Sequence, residues 1–162
     1  MHVRSEGAGK GAVFSVRLPL FDGGAQADDG RSAPVRHGVF SGRRVLLVDD
    51  SLDTLESLGD VLASEGALVT KAESGVDALA RAQESEFDLL LSDIAMPGMS
   101  GLELIERLKQ LPKPQRWTTV AVSGFGQPDD AARSAAAGFD AHLAKPLSFE
   151  ALEAIVQRFV SR

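Results

Sequence analysis

The chain contains no cysteine, which excludes a disulfide-stapled scaffold and a thiolate metal site. Positive charge is scarce: 17 Lys and Arg stand against 23 Asp and Glu, for a formal net charge of -6. A nucleic-acid surface needs clustered Lys and Arg to meet phosphates, so the composition argues against that class. No apolar run approaches the roughly 20 residues of a membrane span, and no signal-peptide core follows Met1. The expectation is a soluble, cytoplasmic chain that contacts neither membrane nor nucleic acid. Its 162 residues leave room for one ordinary domain and an appendage.

Composition divides the chain near Arg43. From Phe21 to Gly42 the sequence is rich in Gly, Ala, Asp and Ser, contains Pro34, and keeps no helix or strand period. That stretch reads as a linker over 21–42. Before it, Ala12 to Leu20 alternates apolar and polar residues as a half-buried strand does, and Gly7, Gly9 and Gly11 interrupt the chain ahead of it. A hairpin from Val3 to Leu18 is expected. Two strands alone are marginal in water, so this piece reads as the edge of something larger.

From Arg43 onward, strand-like and helix-like segments alternate. The expected strands are Val45–Val48, Ala67–Ala72, Phe87–Leu91, Thr118–Val122 and Ala141–Ala144. The helices between and after them are Leu52–Ser64, Val76–Gln83, Gly101–Leu111, Asp129–Ala137 and Ser148–Val160, with Ser74 and Asp77 in capping-box spacing. Runs such as VLLV and FDLLL are apolar on both faces, as strands of a helix-covered parallel sheet are. Right-handed crossovers leave few topologies for five such units. A doubly wound α/β fold with strand order 2-1-3-4-5 is expected. In that order, sites form at the carboxyl ends of the strands, near the switch point between the first and third.

The residues at those ends are Asp49 and Asp50, Asp93, Ser123, and Lys145 before Pro146. Each alone has a plain reading: Asp49 or Asp50 as a helix cap, Asp93 as a turn acid, Ser123 as part of a turn, Lys145 as a solvated charge. Together they suggest more. Three converging carboxylates repel by several kcal/mol even at an effective dielectric of about 20. Such a group persists around a hard divalent cation, and Mg²⁺ prefers carboxylate oxygen and keeps waters that phosphate can replace. Ser123 and Lys145 would meet the other oxygens of an incoming phosphoryl group, so the set reads as an electrostatic cradle for phosphoryl transfer to a carboxylate.

The segments LLVDD, LLLSDIAMPGMSG, VAVSGFG and GFDAHLAKPL resemble, in order and on matching elements, the motifs of bacterial response-regulator receiver domains of flavodoxin-like fold. The likeness covers 43–162. It implies a phosphorelay role in which Asp93 accepts a phosphoryl group from phosphohistidine. It also implies that Asp49, Asp50, Asp93 and the main-chain carbonyl of Ala95 hold Mg²⁺, and that Ser123 is the switch hydroxyl with Lys145 its ion-pair partner. A cis bond between Lys145 and Pro146 is implied as well. His142 stands where the family commonly has a switch aromatic, and a filler at the sheet edge is its plainer reading. In fast-hydrolysing members, polar groups two residues after the acceptor and after the switch hydroxyl orient water. Here those positions are Ala95 and Phe125, which implies a long-lived phosphoaspartate.

The segment VRSEGAGKGAVFSVRLPL resembles the last hairpin of a histidine-kinase ATP-binding domain, so residues 1–20 read as a remnant of one and the parent as a hybrid histidine kinase. GAGKGA lacks the spacing of a phosphate-binding P-loop. The chain itself would be a phosphoacceptor rather than a kinase. Its partner would be a phosphohistidine donor, either the kinase dimerisation domain or a histidine phosphotransfer domain. Competing readings are a phospho-independent interaction module, an Mg²⁺ hydrolase with an Asp nucleophile, and a stand-alone regulator with an unrelated arm.

Overall fold

The computed structural model describes residues 2–5, 12–15, 38–112, 117–124 and 129–160. The chain divides into two units, Met1–Val35 and Arg36–Arg162. In the first, β1 (His2–Ser5) pairs antiparallel with β2 (Ala12–Ser15), Val3 opposite Phe14. Residues 7–11 of the GAGKGA stretch, Leu18 and most of the expected linker lie outside the described residues.

The second unit runs β3 (Arg44–Val48), α1 (Leu52–Ser64), β4 (Leu68–Ala72), α2 (Gly75–Glu84), β5 (Leu89–Asp93), α3 (Gly101–Leu108), β6 (Thr118–Ser123), α4 (Asp130–Ala137), β7 (Ala141–Ala144) and α5 (Phe149–Val160). Its five strands are parallel in the order β4-β3-β5-β6-β7, which is 2-1-3-4-5 counted from Arg44. β5, at the centre, is buried along its whole length. Strand alternation sends Leu89 and Leu91 into one core with Leu55, Leu62 and Leu152, and Leu90 into the other with Leu104, Ile105 and Phe139. A sheet covered on both faces leaves only its strand ends open, and that is where polar residues collect.

Serine hydroxyls start four of the helices, Ser148 Oγ accepting from the Ala151 amide at the start of α5. Ser51 Oγ accepts from the Thr54 amide, and Ser74 Oγ from Asp77. Ser100 forms a reciprocal capping box with Glu103. The Ser100 amide, then its hydroxyl, hold the Glu103 carboxyl below the ordinary glutamate range. α4 stops where Gly138 takes φ 102, a left-handed conformation open to glycine.

Most elements differ from the sequence reading by one or two residues at a boundary, α3 stops at Leu108 rather than Leu111, and two differences matter for the site and the core. The central strand begins later than Phe87 and ends on Asp93 itself. Phe87 instead stacks on Trp117, with ring centroids 6.2 Å apart. The second difference is larger. Phe40, placed by the sequence in the linker, is 0 % exposed, and its ring lies 5.3 Å from that of Phe149. The linker's last residues thus belong to the packed unit, because an aromatic side chain there closes the core against the start of α5.

Candidate functional site

The carboxyl ends of β3, β5 and β6 and the segment after β7 bring Asp49, Asp93, Ser123 and Lys145 to one end of the sheet. Asp49, Asp93 and Ser123 are buried. Lys145 Nζ donates to Asp49 Oδ2 at 2.7 Å and pairs with Asp93 Oδ1 at 3.0 Å. One ammonium is therefore shared by two carboxylates contributed by different strands. The remaining oxygens meet backbone: Asp49 Oδ1 accepts from the Ser51 amide at 2.9 Å, and Asp93 Oδ2 from the Ala95 amide at 3.0 Å. Burial works against the Lys145 charge, but the hydrogen bonds to Asp49 and Asp93, with their charges, outweigh it and raise its pKa above the ordinary lysine value. Lys145 thus remains an ammonium throughout the neutral range.

Two expected members differ from that pair. Asp50 is exposed beside the pair, and among the described residues no three Asp, Glu or His side chains lie close enough together to hold a metal ion. Of the three expected carboxylates, the two buried ones, Asp49 and Asp93, share Lys145, and Asp50 is the exposed one. The ammonium between Asp49 and Asp93 relieves the repulsion between those two acids. Nor is Asp49 or Asp50 the cap of α1, a role Ser51 fills. The donor chemistry still suits Mg²⁺. Two carboxylates against one ammonium leave a formal negative charge on hard oxygen, and Asp50 and the Ala95 backbone border it.

The Ser123 hydroxyl points to neither acid. Its partner is His142 Nε2 at 2.9 Å, across the β6–β7 pair. The Lys145–Pro146 peptide bond is cis. Ala95 is exposed, and Phe125 lies outside the described residues.

Three residues supporting the site went unnoticed in the sequence. Ser51 both caps α1 and donates to Asp49. The buried Ser92 hydroxyl donates to the Asp93 carbonyl at 2.9 Å. Gly101 opens α3 so close to β5 that a Cβ there would collide with the same carbonyl oxygen. Serine in N-cap spacing before α1, and glycine just after the Ser100 cap, were the available signals. Beside the acids a cavity of about 370 Å³ opens between α1 and the start of α5, walled by Leu58, Val61, Leu147 and Phe149.

A parallel doubly wound sheet with a lysine-clamped acid pair at its switch point defines a phosphoacceptor-type α/β module. The model of the response regulator receiver domain family matches residues 45–157, and the chain belongs to that family, the receivers of two-component systems. An uncharacterized 14.6 kDa protein of Leptolyngbya boryana is 36% identical over 71% of this chain and 88% of its own length. The sensor histidine kinase AtsR of Burkholderia thailandensis is 28% identical over 94% of this chain, which spans only 26% of that protein. Among solved structures, the chemotaxis protein CheY4 of Vibrio cholerae superimposes with a TM-score of 0.67 at 29% identity, over 74% of this chain and 99% of its own. Receiver domains generally use Mg²⁺ for phosphorylation and take the phosphoryl group from histidine-kinase or phosphotransfer partners. Among the described residues no helix is long and apolar enough to cross a membrane.

Proposed function

We propose that Asp93 is the phosphoacceptor of this chain, and that Asp49, Asp50 and the Ala95 carbonyl join it in holding Mg²⁺. The observation that carries the reading is the Lys145 ammonium held at 2.7 Å from Asp49 and 3.0 Å from Asp93, both buried at the carboxyl end of a doubly wound sheet. In the transfer, a P–N bond to the donor imidazole breaks as a P–O bond to Asp93 forms, and the imidazole leaves with a proton. Bound Mg²⁺ would neutralise charge on the phosphoryl oxygens. Asp93 presents one carboxylate oxygen while the Ala95 amide holds the other. Lys145 exchanges one carboxylate partner for the incoming phosphoryl group, and its raised pKa keeps it cationic while it does so. Ser123 supplies a hydroxyl, and His142 follows it as the switch residue.

The donor is a phosphohistidine protein, either a kinase dimerisation domain or a phosphotransfer domain. The apolar cavity beside the acids offers such a donor a surface to rest on. A likeness to AtsR over 94% of the chain reaches into the N-terminal segment, and it supports an origin in a cytoplasmic part of a hybrid histidine kinase. Residues 1–20 would then be the end of the ATP-binding domain.

The test is incubation with acetyl phosphate and Mg²⁺, read by intact mass. One phosphoryl group per chain is expected, with no uptake when the metal is chelated beforehand and none in Asp93→Asn. Stoichiometric labelling of that variant would reject the assignment. Steady turnover of a phosphoester would favour a hydrolase instead. The phosphorylated chain should also decay slowly, and Ala95→Asn should decay faster.

A further inference from the structure

The Ser123–His142 contact is a feature that the transfer chemistry above does not need. Register places Ala121 opposite His142 and Ser123 opposite Ala144. Ser123 and His142 are therefore diagonal neighbours on one face of the β6–β7 pair, within reach for a long side chain. Ser123 is 2 % exposed and His142 half-buried, so solvent competes little for the bond between them. A serine hydroxyl has a single hydrogen to give. Where that hydrogen points depends on what Nε2 is.

If the neutral imidazole carries its proton on Nδ1, Nε2 is an acceptor and Ser123 spends its hydrogen on it. If the ring is an imidazolium, Nε2–H donates to Ser123 Oγ, and the hydroxyl hydrogen is free for an anionic oxygen. Imidazole is the side chain whose ordinary titration crosses the pH 5–8 range. Resting on the assignment of Asp93 as acceptor, we propose that His142 is a positioning residue that aims the Ser123 hydroxyl, so that protonation of His142 and occupancy of Asp93 by a phosphoryl group favour one another.

The surroundings permit the ring to change charge. β6, α4 and α5 are the elements packed on β7. β6 brings no titratable side chain. α4 brings Arg133 and Asp130, paired with each other at 3.6 Å, and Asp129 precedes it. α5 brings Glu150, Glu153 and Arg158, while packing on Ala141 and Leu143, the residues flanking His142. Along the strand, Asp140 accepts from Thr119 and Lys145 is held by Asp49 and Asp93. Among the described residues no carboxylate bonds to the imidazole, so Ser123 is the partner that a change of its charge would turn.

Linkage makes the proposal measurable, because each event must favour the other by the same factor. The experiment follows the His142 ring by NMR through a pH titration of the full chain, with and without Mg²⁺ and beryllofluoride as the phosphoryl mimic. Beryllofluoride should move the titration midpoint to higher pH by about half a unit, roughly a threefold change in proton affinity. The mimic's own charge acts through space and persists in Ser123→Ala, so the difference between the two proteins is the signal. Most of the movement should vanish in Ser123→Ala and return in Ser123→Thr. Equal movement in all three proteins, or none in the native chain despite bound mimic, overturns the proposal. Failure of the native chain to bind the mimic at all would instead overturn the Asp93 assignment, and this inference with it.

Discussion

The two ends of the parallel sheet use the same residue types to opposite ends. At the amino end, Asp88 accepts from the Arg44 amide at 2.8 Å and pairs with its guanidinium at 3.2 Å. Asp140 there accepts from the Thr119 amide and hydroxyl, both at 2.8 Å. Each acid has its own donors, and each joins neighbouring strands. At the carboxyl end, Asp49 and Asp93 must share one lysine. Acids satisfied one by one are fasteners; acids in surplus over their partners are a site. Buried charge that is under-compensated costs stability, and functional sites are where that cost is tolerated.

Replacing one acid at each end breaks the comparison most sharply. Asp93→Asn should abolish phosphoryl uptake from acetyl phosphate entirely while changing the melting temperature little, since it removes a charge from an over-acidic cluster. Asp140→Ala should do the reverse. It strands the buried Thr119 amide and hydroxyl and should cost about 1–3 kcal/mol in chemical denaturation, with Asp93 still labelled. If Asp93→Asn destabilises as much as Asp140→Ala, the carboxyl end is a fastener too.

Between those effects in size from total loss downward stands Phe40→Ala, expected to cost roughly 3–5 kcal/mol as a buried aromatic deletion. Deleting residues 1–35 should leave denaturation of the second unit nearly unchanged, whereas deleting 1–40 should lower its stability by a similar amount to the point variant. Equal behaviour of the two deletions would mean that the Phe40–Phe149 contact contributes nothing.

Much of the fold was legible because it is written in patterns that repeat: apolar runs of strand length, helices at 3.6-residue spacing, hydroxyls just before them. Asp93 and Lys145 were legible because they end such runs. Phe40 was not, since one aromatic amid Gly, Ser and Arg has no period, and its burial depends on Phe149 far along the chain. The position of Asp50 was hidden for a different reason. Adjacent residues leaving a strand point apart, so the pair Asp49-Asp50 does not say which acid turns inward. The bond from Ser123 to His142 depends on a diagonal between two strands, which register alone decides.

The smallest expected effect concerns acid. Hydrogen bonds from the Arg44 side chain, against the opposing cost of burial, lower the Asp88 pKa below the ordinary aspartate value. A lowered carboxylate pKa contributes stability that is fully present above the unfolded value of about 3.9, and that is lost as pH falls through the folded value. Native protein should therefore lose stability on acidification below about pH 4 more steeply than Asp88→Asn, which starts lower at neutral pH and has no such group to protonate. The pair is partly exposed, with side-chain exposures of 45% and 34%, so solvent screens it and the two curves should differ only slightly. Urea denaturation between about pH 3 and 7 in low salt measures the difference. Parallel curves for the two proteins would show that Asp88 joins the strands by shape alone, and the contrast between the ends of the sheet would then rest on Asp140.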